Sequence, residues 1–190
     1  MFVFKKKYFL IIESIKDLEL KNIKKRHKFC IIYRNNKISE NKVDILNFRK
    51  ACRLKAIKFF VANNNKLAVS LNADGVYLSS YNKSFKALSQ RKPHFQIIGS
   101  AHNLKEITMK IRQGCSLILL SKLFRVNYDK TSPYLGVIKF NNKLKINRNL
   151  IPLGGINLKT LNKIKNINCK GFAMLSEIKK KPANIINRLF

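Results

Sequence analysis

The sequence has 190 residues, enough for one domain with its own core, and 46% of them are hydrophobic. Lysine and arginine together number 40 against nine acidic residues, which gives a formal net charge of +31. No apolar run is long enough to span a membrane, and the first residues do not resemble a secretory signal.

Such a positive charge is typical of proteins that bind nucleic acids or anionic membranes. The lysines are nevertheless spread along the whole chain, together with many asparagines and isoleucines, a combination that an AT-rich coding sequence would produce. No helix-turn-helix or aromatic-interleaved basic pattern accompanies them. We therefore expect nonspecific affinity for nucleic acids rather than a dedicated nucleic-acid-binding function.

The four cysteines lie in apolar segments and show no Cys-x-x-Cys spacing. A free cysteine in such a segment behaves as a small buried hydrophobe. The sequence thus predicts a reduced, cytoplasmic protein without a metal cluster.

Apolar runs that predict strands alternate along the chain with segments that predict helices. The predicted strands are residues 8–12, 29–33, 57–61, 76–78, 95–100 and 117–120, and two more within 150–157 and 170–176. The predicted helices are residues 15–26 with Ser14 as the cap, 43–54, 63–71, 85–88, 103–111 and 182–190. Residues 124–136 are polar and interrupted by proline, as is typical of an active-site loop.

Eight strands that alternate with helices predict a (β/α)8 TIM barrel, which we expect to form a single domain over residues 1–190. An open, doubly wound sheet is the alternative. No Gly-x-Gly-x-x-Gly motif follows the first strand to favour that sheet.

The last two predicted strands end in small residues that suit a phosphate-binding site. Gly154 and Gly155 follow one strand, and Leu175 and Ser176 follow the other. Tight turns of this kind expose backbone N–H groups to an anion. In a (β/α)8 barrel, the loops after strands seven and eight are where a phosphate is often bound.

Four segments resemble, in order and spacing, the signatures of thiamine phosphate synthase and its thiazole tautomerase relatives: 73–78, 97–102, 153–156 and 173–176. The likeness runs from about Phe59 to Ile178. It implies a barrel enzyme of thiamine biosynthesis that joins a hydroxymethylpyrimidine diphosphate to a thiazole phosphate and releases pyrophosphate. It also implies Mg²⁺ and basic groups that hold the diphosphate.

The resemblance assigns roles to individual residues of this chain. It implies catalytic roles for Ser100, which matches a serine that contacts the pyrophosphate, for Arg34, which matches the arginine ending strand two, and for Lys130, which matches a lysine of the loop after strand six. It implies substrate-binding roles for His102, Gly154, Gly155, Leu175 and Ser176.

The chain departs from the family's pattern at the metal site, where Asn63 and Asn82 occupy the positions of two magnesium-binding aspartates. An asparagine carbonyl can bind Mg²⁺ but brings no charge, so weaker binding is expected. Of the carboxylates, only Glu13, Asp129 and Glu177 are expected at the catalytic face. Lysines replacing the charge of the metal are a further possibility.

Three other functions therefore stay open. The chain can be a noncatalytic, phosphate-binding member of the family, or a thiazole tautomerase-like isomerase. The second alternative is weakened because Lys122 stands where the tautomerases use a histidine. Nucleic-acid binding is the third. The sequence leaves the true substrate and the oligomeric state open.

Overall fold

The computed structural model describes residues 7–23, 26–35, 40–89, 93–126 and 131–175. The strands are β1 Lys7–Ile12, β2 Phe29–Tyr33, β3 Lys58–Ala62, β4 Gly75–Leu78, β5 Gln96–Ala101, β6 Leu117–Leu120, β7 Leu150–Pro152 and β8 Gly171–Met174. The helices are α1 Lys42–Leu54, α2 Asn65–Ser70, α3 Lys86–Ser89, α4 Leu104–Arg112, α5 Gly136–Ile146 and α6 Leu161–Ile164.

The eight strands form one parallel sheet in the order β7-β6-β5-β4-β3-β2-β1-β8. An isolated parallel bridge between Leu153 and Ala173 joins the two outermost strands, so the sheet curls into a nearly closed barrel. The predicted (β/α)8 barrel is therefore confirmed, and the open sheet is excluded.

The barrel has two hydrophobic cores because side chains alternate along each strand. In β1, Phe9 and Ile11 belong to the cluster inside the barrel, whereas Leu10 and Ile12 belong to the cluster that includes the surrounding helices. Both faces of the strands are thus buried, which explains why they read as continuous apolar runs in the sequence. Because side chains fill the interior of the barrel, we expect a functional site at the carboxyl ends of the strands.

The helix predicted for residues 15–26 is wrong. Three short 3-10 turns stand there instead, at Ile15–Asp17, Leu20–Asn22 and Arg26–Lys28. Leu18 and Leu20 are both buried, yet in an α-helix they would point about 200° apart. An extended backbone at Leu18 places both in the core. Ser14 does cap the first turn, accepting a hydrogen bond from Lys16 N at 3.1 Å.

The other helices predicted within the described residues are confirmed, and asparagines begin three of them. Asn41, Asn64 and Asn103 each accept a hydrogen bond from a backbone N–H in the first turn of α1, α2 and α4. The sequence analysis predicted no individual helix in the segments that form α5 and α6. The helix predicted at 182–190 lies outside the described residues.

The cysteines behave as the sequence predicts. All four are free; Cys30, Cys52 and Cys169 are buried, and Cys115 is half-buried. Burial raises the pKa of the Cys30 thiol to about 11 and that of the Cys52 and Cys115 thiols to about 12, so these groups stay protonated. In the part of the chain that the structure describes, no helix has the length and apolar character needed to cross a membrane.

Candidate active site

Tyr77 lies near two of the predicted catalytic residues, Ser100 and Arg34. The Tyr77 side chain is buried in the cluster inside the barrel, and Ser100 and Arg34 are among the groups that influence its pKa. Burial raises the pKa of Tyr77, and the bond to Ser100 and the nearby charge of Arg34 offset only part of that rise. The phenol therefore stays neutral and can orient the Ser100 hydroxyl at the barrel mouth.

Arg34 follows β2 directly and is only partly engaged. Its Nη2 atom lies 3.7 Å from Glu13 Oε1, and its backbone N–H donates to Ile12 O at 2.8 Å. Its Nε atom is buried and has no hydrogen-bond partner among the residues that the structure describes. A buried guanidinium donor without a partner is unfavourable unless a ligand completes it, which suits a residue that binds an anionic substrate.

His102 lies at the exposed rim after β5. Its Nδ1 atom is 2.9 Å from the Ser121 hydroxyl, and its backbone N–H donates to Glu106 Oε2 at 2.8 Å. Lys122, the residue after Ser121, donates a hydrogen bond from its ammonium to Ser132 Oγ. The histidine is therefore held at the mouth by the segment after β6, close to the loop that leads to α5.

Gly154 and Gly155 form the turn after β7 with left-handed φ angles of 92° and 68°. A Cβ atom on Gly155 would lie 2.5 Å from Phe124 O, and one on Gly154 would lie 3.3 Å from Lys122 Cα, so the loop after β6 packs directly against both. The amides of residues 154–156 donate no hydrogen bond to any part of the chain that is described. Three successive N–H groups without a partner in the described part of the chain suit the predicted phosphate cradle.

Two leucines border the site on its apolar side. Leu153 and Leu175 pack, partly buried, against the cluster inside the barrel. The substrate contact that the resemblance implies for Leu175 stays a prediction. The remaining predicted residues, Lys130 and Ser176, lie outside the described residues, as do the carboxylates Asp129 and Glu177.

Asn63 and Asn82, which the resemblance assigns to the family's magnesium positions, are hydrogen-bonded to each other. Asn63 Oδ1 accepts hydrogen bonds from Ser79 N at 3.0 Å, Ser79 Oγ at 2.9 Å and Asn82 Nδ2 at 3.1 Å. Asn82 Oδ1 accepts from Ser84 N at 2.9 Å. Both side-chain oxygens are therefore already engaged by donors, and neither carries the charge that a divalent cation prefers.

These residues do not fit Mg²⁺. Among the described residues, no group of three or more His, Cys, Asp or Glu side chains could hold a metal ion. Glu13 is the carboxylate that the sequence places at the catalytic face within this part of the chain, and it pairs with Arg34. The donor set at Asn63 and Asn82 is that of an internal hydrogen-bond cluster.

A buried lysine that the sequence analysis did not single out lies beneath this cluster. Lys110 of α4 is fully buried, and its ammonium donates to Ser79 O and Asn82 O, both at 2.7 Å. The signal in the sequence is its spacing from Ile107 and Gly114, which places it on the apolar face of the helix. Nothing in the sequence alone reveals which loop it reaches.

Comparison with known proteins identifies the family. The family model described as thiamine monophosphate synthase matches residues 12–178. A thiamine-phosphate synthase of Prochlorococcus marinus is 30% identical over 130 residues, which cover 67% of this chain and 37% of that protein. One of Flavobacterium psychrophilum is 27% identical over 134 residues, 66% of this chain and 65% of that protein. The chain thus spans about two fifths of the first of these relatives.

Solved structures agree on the fold. A thiamine phosphate pyrophosphorylase from Pyrococcus furiosus superimposes with a TM-score of 0.69 at 16% identity, with 98% of each chain covered. At this identity the match supports the barrel alone. The family model covers most of the chain, so this protein is a member of the thiamine monophosphate synthase family.

Proposed function

We propose that this chain is a thiamine phosphate synthase, which joins a hydroxymethylpyrimidine diphosphate to a thiazole phosphate and releases pyrophosphate. The observation that carries the proposal is the family match over residues 12–178 on a barrel with a free-amide turn at Gly154 and Gly155. The substrates, phosphorylated pyrimidine and thiazole, are part of the proposal. So are a location in the cytoplasm and a single-domain chain.

In this reaction the bond between the pyrimidine methylene carbon and the diphosphate oxygen breaks, and the electron pair leaves with pyrophosphate. The thiazole nitrogen then attacks the resulting pyrimidine-stabilised cation and forms the new carbon–nitrogen bond. No proton has to be removed for this bond to form. The protein therefore contributes mainly positioning and charge stabilisation.

The residues described above divide this work between them. Arg34, whose Nε has no hydrogen-bond partner among the described residues, and Ser100, which lies near Tyr77, would hold the leaving diphosphate. The free amides of residues 154–156 would bind the thiazole phosphate, with Leu153 and Leu175 beside the ring. This arrangement holds the two reactants together at the mouth of the barrel, as the reaction requires.

One observation favours a second candidate, a noncatalytic member that binds phosphorylated ligands. Asn63 and Asn82 offer no charged ligand to a metal that the family uses to stabilise the leaving group. Catalysis then depends on whether the basic groups of this chain suffice.

The deciding experiment is a single-turnover measurement of thiamine phosphate and pyrophosphate after mixing the protein with both precursors. Equal amounts of the two products are expected. Binding of the thiazole phosphate without either product would overturn the synthase and leave the binding protein. Conversion of the thiazole phosphate to an isomer would instead identify a tautomerase-like enzyme.

A further inference from the structure

A second cavity lies at the end of the barrel opposite the candidate active site. It is formed at the amino ends of β4 and β5, whereas Gly154 and Gly155 follow the carboxyl end of β7. Its volume is about 410 Å³, which lies within the range of small-molecule sites. The polar residues that line it come from α1 and from the segments before β4 and β5: Arg49, Arg53, Asn72, Asp74 and His94.

Arg49 is buried in the wall of this cavity and still has unused donors. Its side chain is only 8% exposed. The Nε and Nη2 atoms donate to Asn72 O at 3.2 and 3.0 Å, and Nη2 lies 3.2 Å from Asp74 Oδ2. The Nη1 atom forms no hydrogen bond with any described residue. Since a guanidinium has five N–H donors, the two on Nη1 remain for a ligand in the cavity.

The carboxylate of Asp74 does not neutralise both arginines of the cavity. Its Oδ2 atom accepts a hydrogen bond from Phe59 N at 2.8 Å and pairs with Arg49. Arg53 follows Arg49 by four residues, so both lie on one face of α1, where two positive charges repel each other. The exposed Arg53 guanidinium pairs with no residue in the described ranges. With two guanidinium groups against one carboxylate, this wall attracts an anion.

The rest of the cavity wall is mostly apolar. Val69, Ala73, Pro93 and Phe95 line it beside the charged groups. A few polar groups on an apolar wall are typical of sites for small organic ligands. An inorganic anion would use the arginines alone, so the apolar wall favours an anion that carries an apolar body.

We propose that this cavity binds a small phosphate monoester with an apolar body, whose phosphoryl oxygens accept hydrogen bonds from Arg49 Nη1, Arg53 and His94. Three donor groups, from α1 and the segment before β5, suit the three terminal oxygens of a phosphoryl group better than the two oxygens of a carboxylate. The body of the ligand lies against Val69 and Phe95. This site is separate from the proposed synthase reaction, and the inference does not rest on that reaction.

Two histidines allow the two ends of the barrel to be observed separately. His94 lines the cavity, and His102 lies at the rim of the candidate active site. The first test follows their ring signals by nuclear magnetic resonance while phenyl phosphate is added to the whole chain at constant pH, with His94→Gln to assign the His94 signals. We expect the His94 signals to shift and to saturate, whatever happens at His102. Absence of a saturable shift at His94 overturns the proposal.

The second test compares two substitutions in α1. Arg53→Gln removes a guanidinium that has no partner in the described part of the chain, and we expect the dissociation constant of phenyl phosphate, measured from His94, to rise about tenfold. Lys50→Gln removes the same charge from an exposed position outside the cavity and should change this constant less than about twofold. Equal effects would mean that the charge of +31 attracts the probe diffusely, which would overturn the proposal.

Two further probes test the class of ligand. Inorganic phosphate lacks the apolar body and benzoate lacks the phosphoryl group, and we expect each to bind at least about tenfold more weakly than phenyl phosphate. Equal affinity for inorganic phosphate would overturn the role of the apolar wall, and equal affinity for benzoate would overturn the assignment to phosphate esters. These binding measurements need no turnover, so their failure is distinct from failure of the synthase assay.

Discussion

At the scale of single residues, the site depends on side chains that hold others in place. Tyr77 is buried inside the barrel near Ser100, and Lys110, on the buried face of α4, donates to the loop after β4. Asn63 adopts a left-handed backbone with φ of 56°, which asparagine tolerates better than most residues, and its side chain then meets Ser79 and Asn82. Positioning of this kind matters in a reaction with little acid–base chemistry.

Tyr77→Phe tests this positioning. It keeps the aromatic ring in the inner cluster and removes only the hydroxyl, which we expect to orient Ser100. We expect kcat/KM for thiamine phosphate formation to fall about tenfold, while the free energy of unfolding falls by about 1 kcal/mol. Steady-state kinetics and urea unfolding measure the two effects.

The double variant gives the check on that interpretation. If Tyr77 acts through Ser100, then adding Tyr77→Phe to Ser100→Ala should cause almost no further loss of kcat/KM, because the group it orients is already gone. Additive losses would show that the tyrosine hydroxyl acts independently of the serine.

At the scale of elements, the loops after β6 and β7 form one unit. Leu123 N donates to Leu153 O at 2.9 Å, and Phe124 N donates to Gly154 O at 3.1 Å, so the two loops continue the pairing of their strands. The turn at Gly154 and Gly155 therefore depends on the backbone of the loop after β6 as well as on its own glycines.

Gly155→Ala should show this dependence. The new Cβ atom would lie 2.5 Å from Phe124 O and 2.6 Å from Arg125 O, at a residue whose φ is +68°. We expect a loss of about 3 kcal/mol in unfolding free energy and a marked loss of thiazole phosphate affinity. Chemical unfolding and calorimetry measure these.

Gly136 provides the matched control, because it has the same φ of +68° but a Cβ atom added there would meet no other atom within 4 Å. Gly136→Ala should therefore cost only the backbone strain, about 1 kcal/mol, and leave affinity unchanged. Equal effects at the two glycines would mean that the close approach to Phe124 does not matter.

At the scale of the whole molecule, the strands and their order could be predicted because each is a buried apolar run with polar residues around it. The turns at residues 15–23 could not be predicted. Leu18, Leu20 and Ile23 are buried there by packing on the barrel, and their spacing does not follow a helical period. The loop that Lys110 contacts could not be predicted either, since Ser79 and Asn82 lie 31 and 28 residues away in the chain. Affinity for nucleic acids stays a prediction.

The stability of the barrel should also depend on pH through Glu40, which links the turn after β1 to the end of β2. Glu40 Oε1 accepts hydrogen bonds from Ser14 Oγ at 2.6 Å and Ile15 N at 3.1 Å, and Oε2 accepts from Tyr33 Oη at 2.5 Å. Burial alone would raise the pKa of Glu40, but these hydrogen bonds outweigh it and hold the pKa below its usual value.

A carboxylate whose pKa is lower in the folded state stabilises the fold above its unfolded pKa, and that stabilisation disappears as the pH falls through the folded pKa. We therefore expect the free energy of unfolding to decrease on acidification below about pH 4.3, the ordinary glutamate value.

Glu40→Gln should lower the free energy of unfolding near neutral pH by about 1–2 kcal/mol and make its decrease at low pH smaller. Glu19→Gln is the control, because it removes the same charge from an exposed pair with Lys21. It should leave the decrease of the unfolding free energy at low pH unchanged, as measured by urea unfolding across the pH range. If the free energy of unfolding of Glu40→Gln still falls at low pH, other carboxylates cause that fall. The link that Glu40 makes between β1 and β2 would then contribute little to the pH dependence.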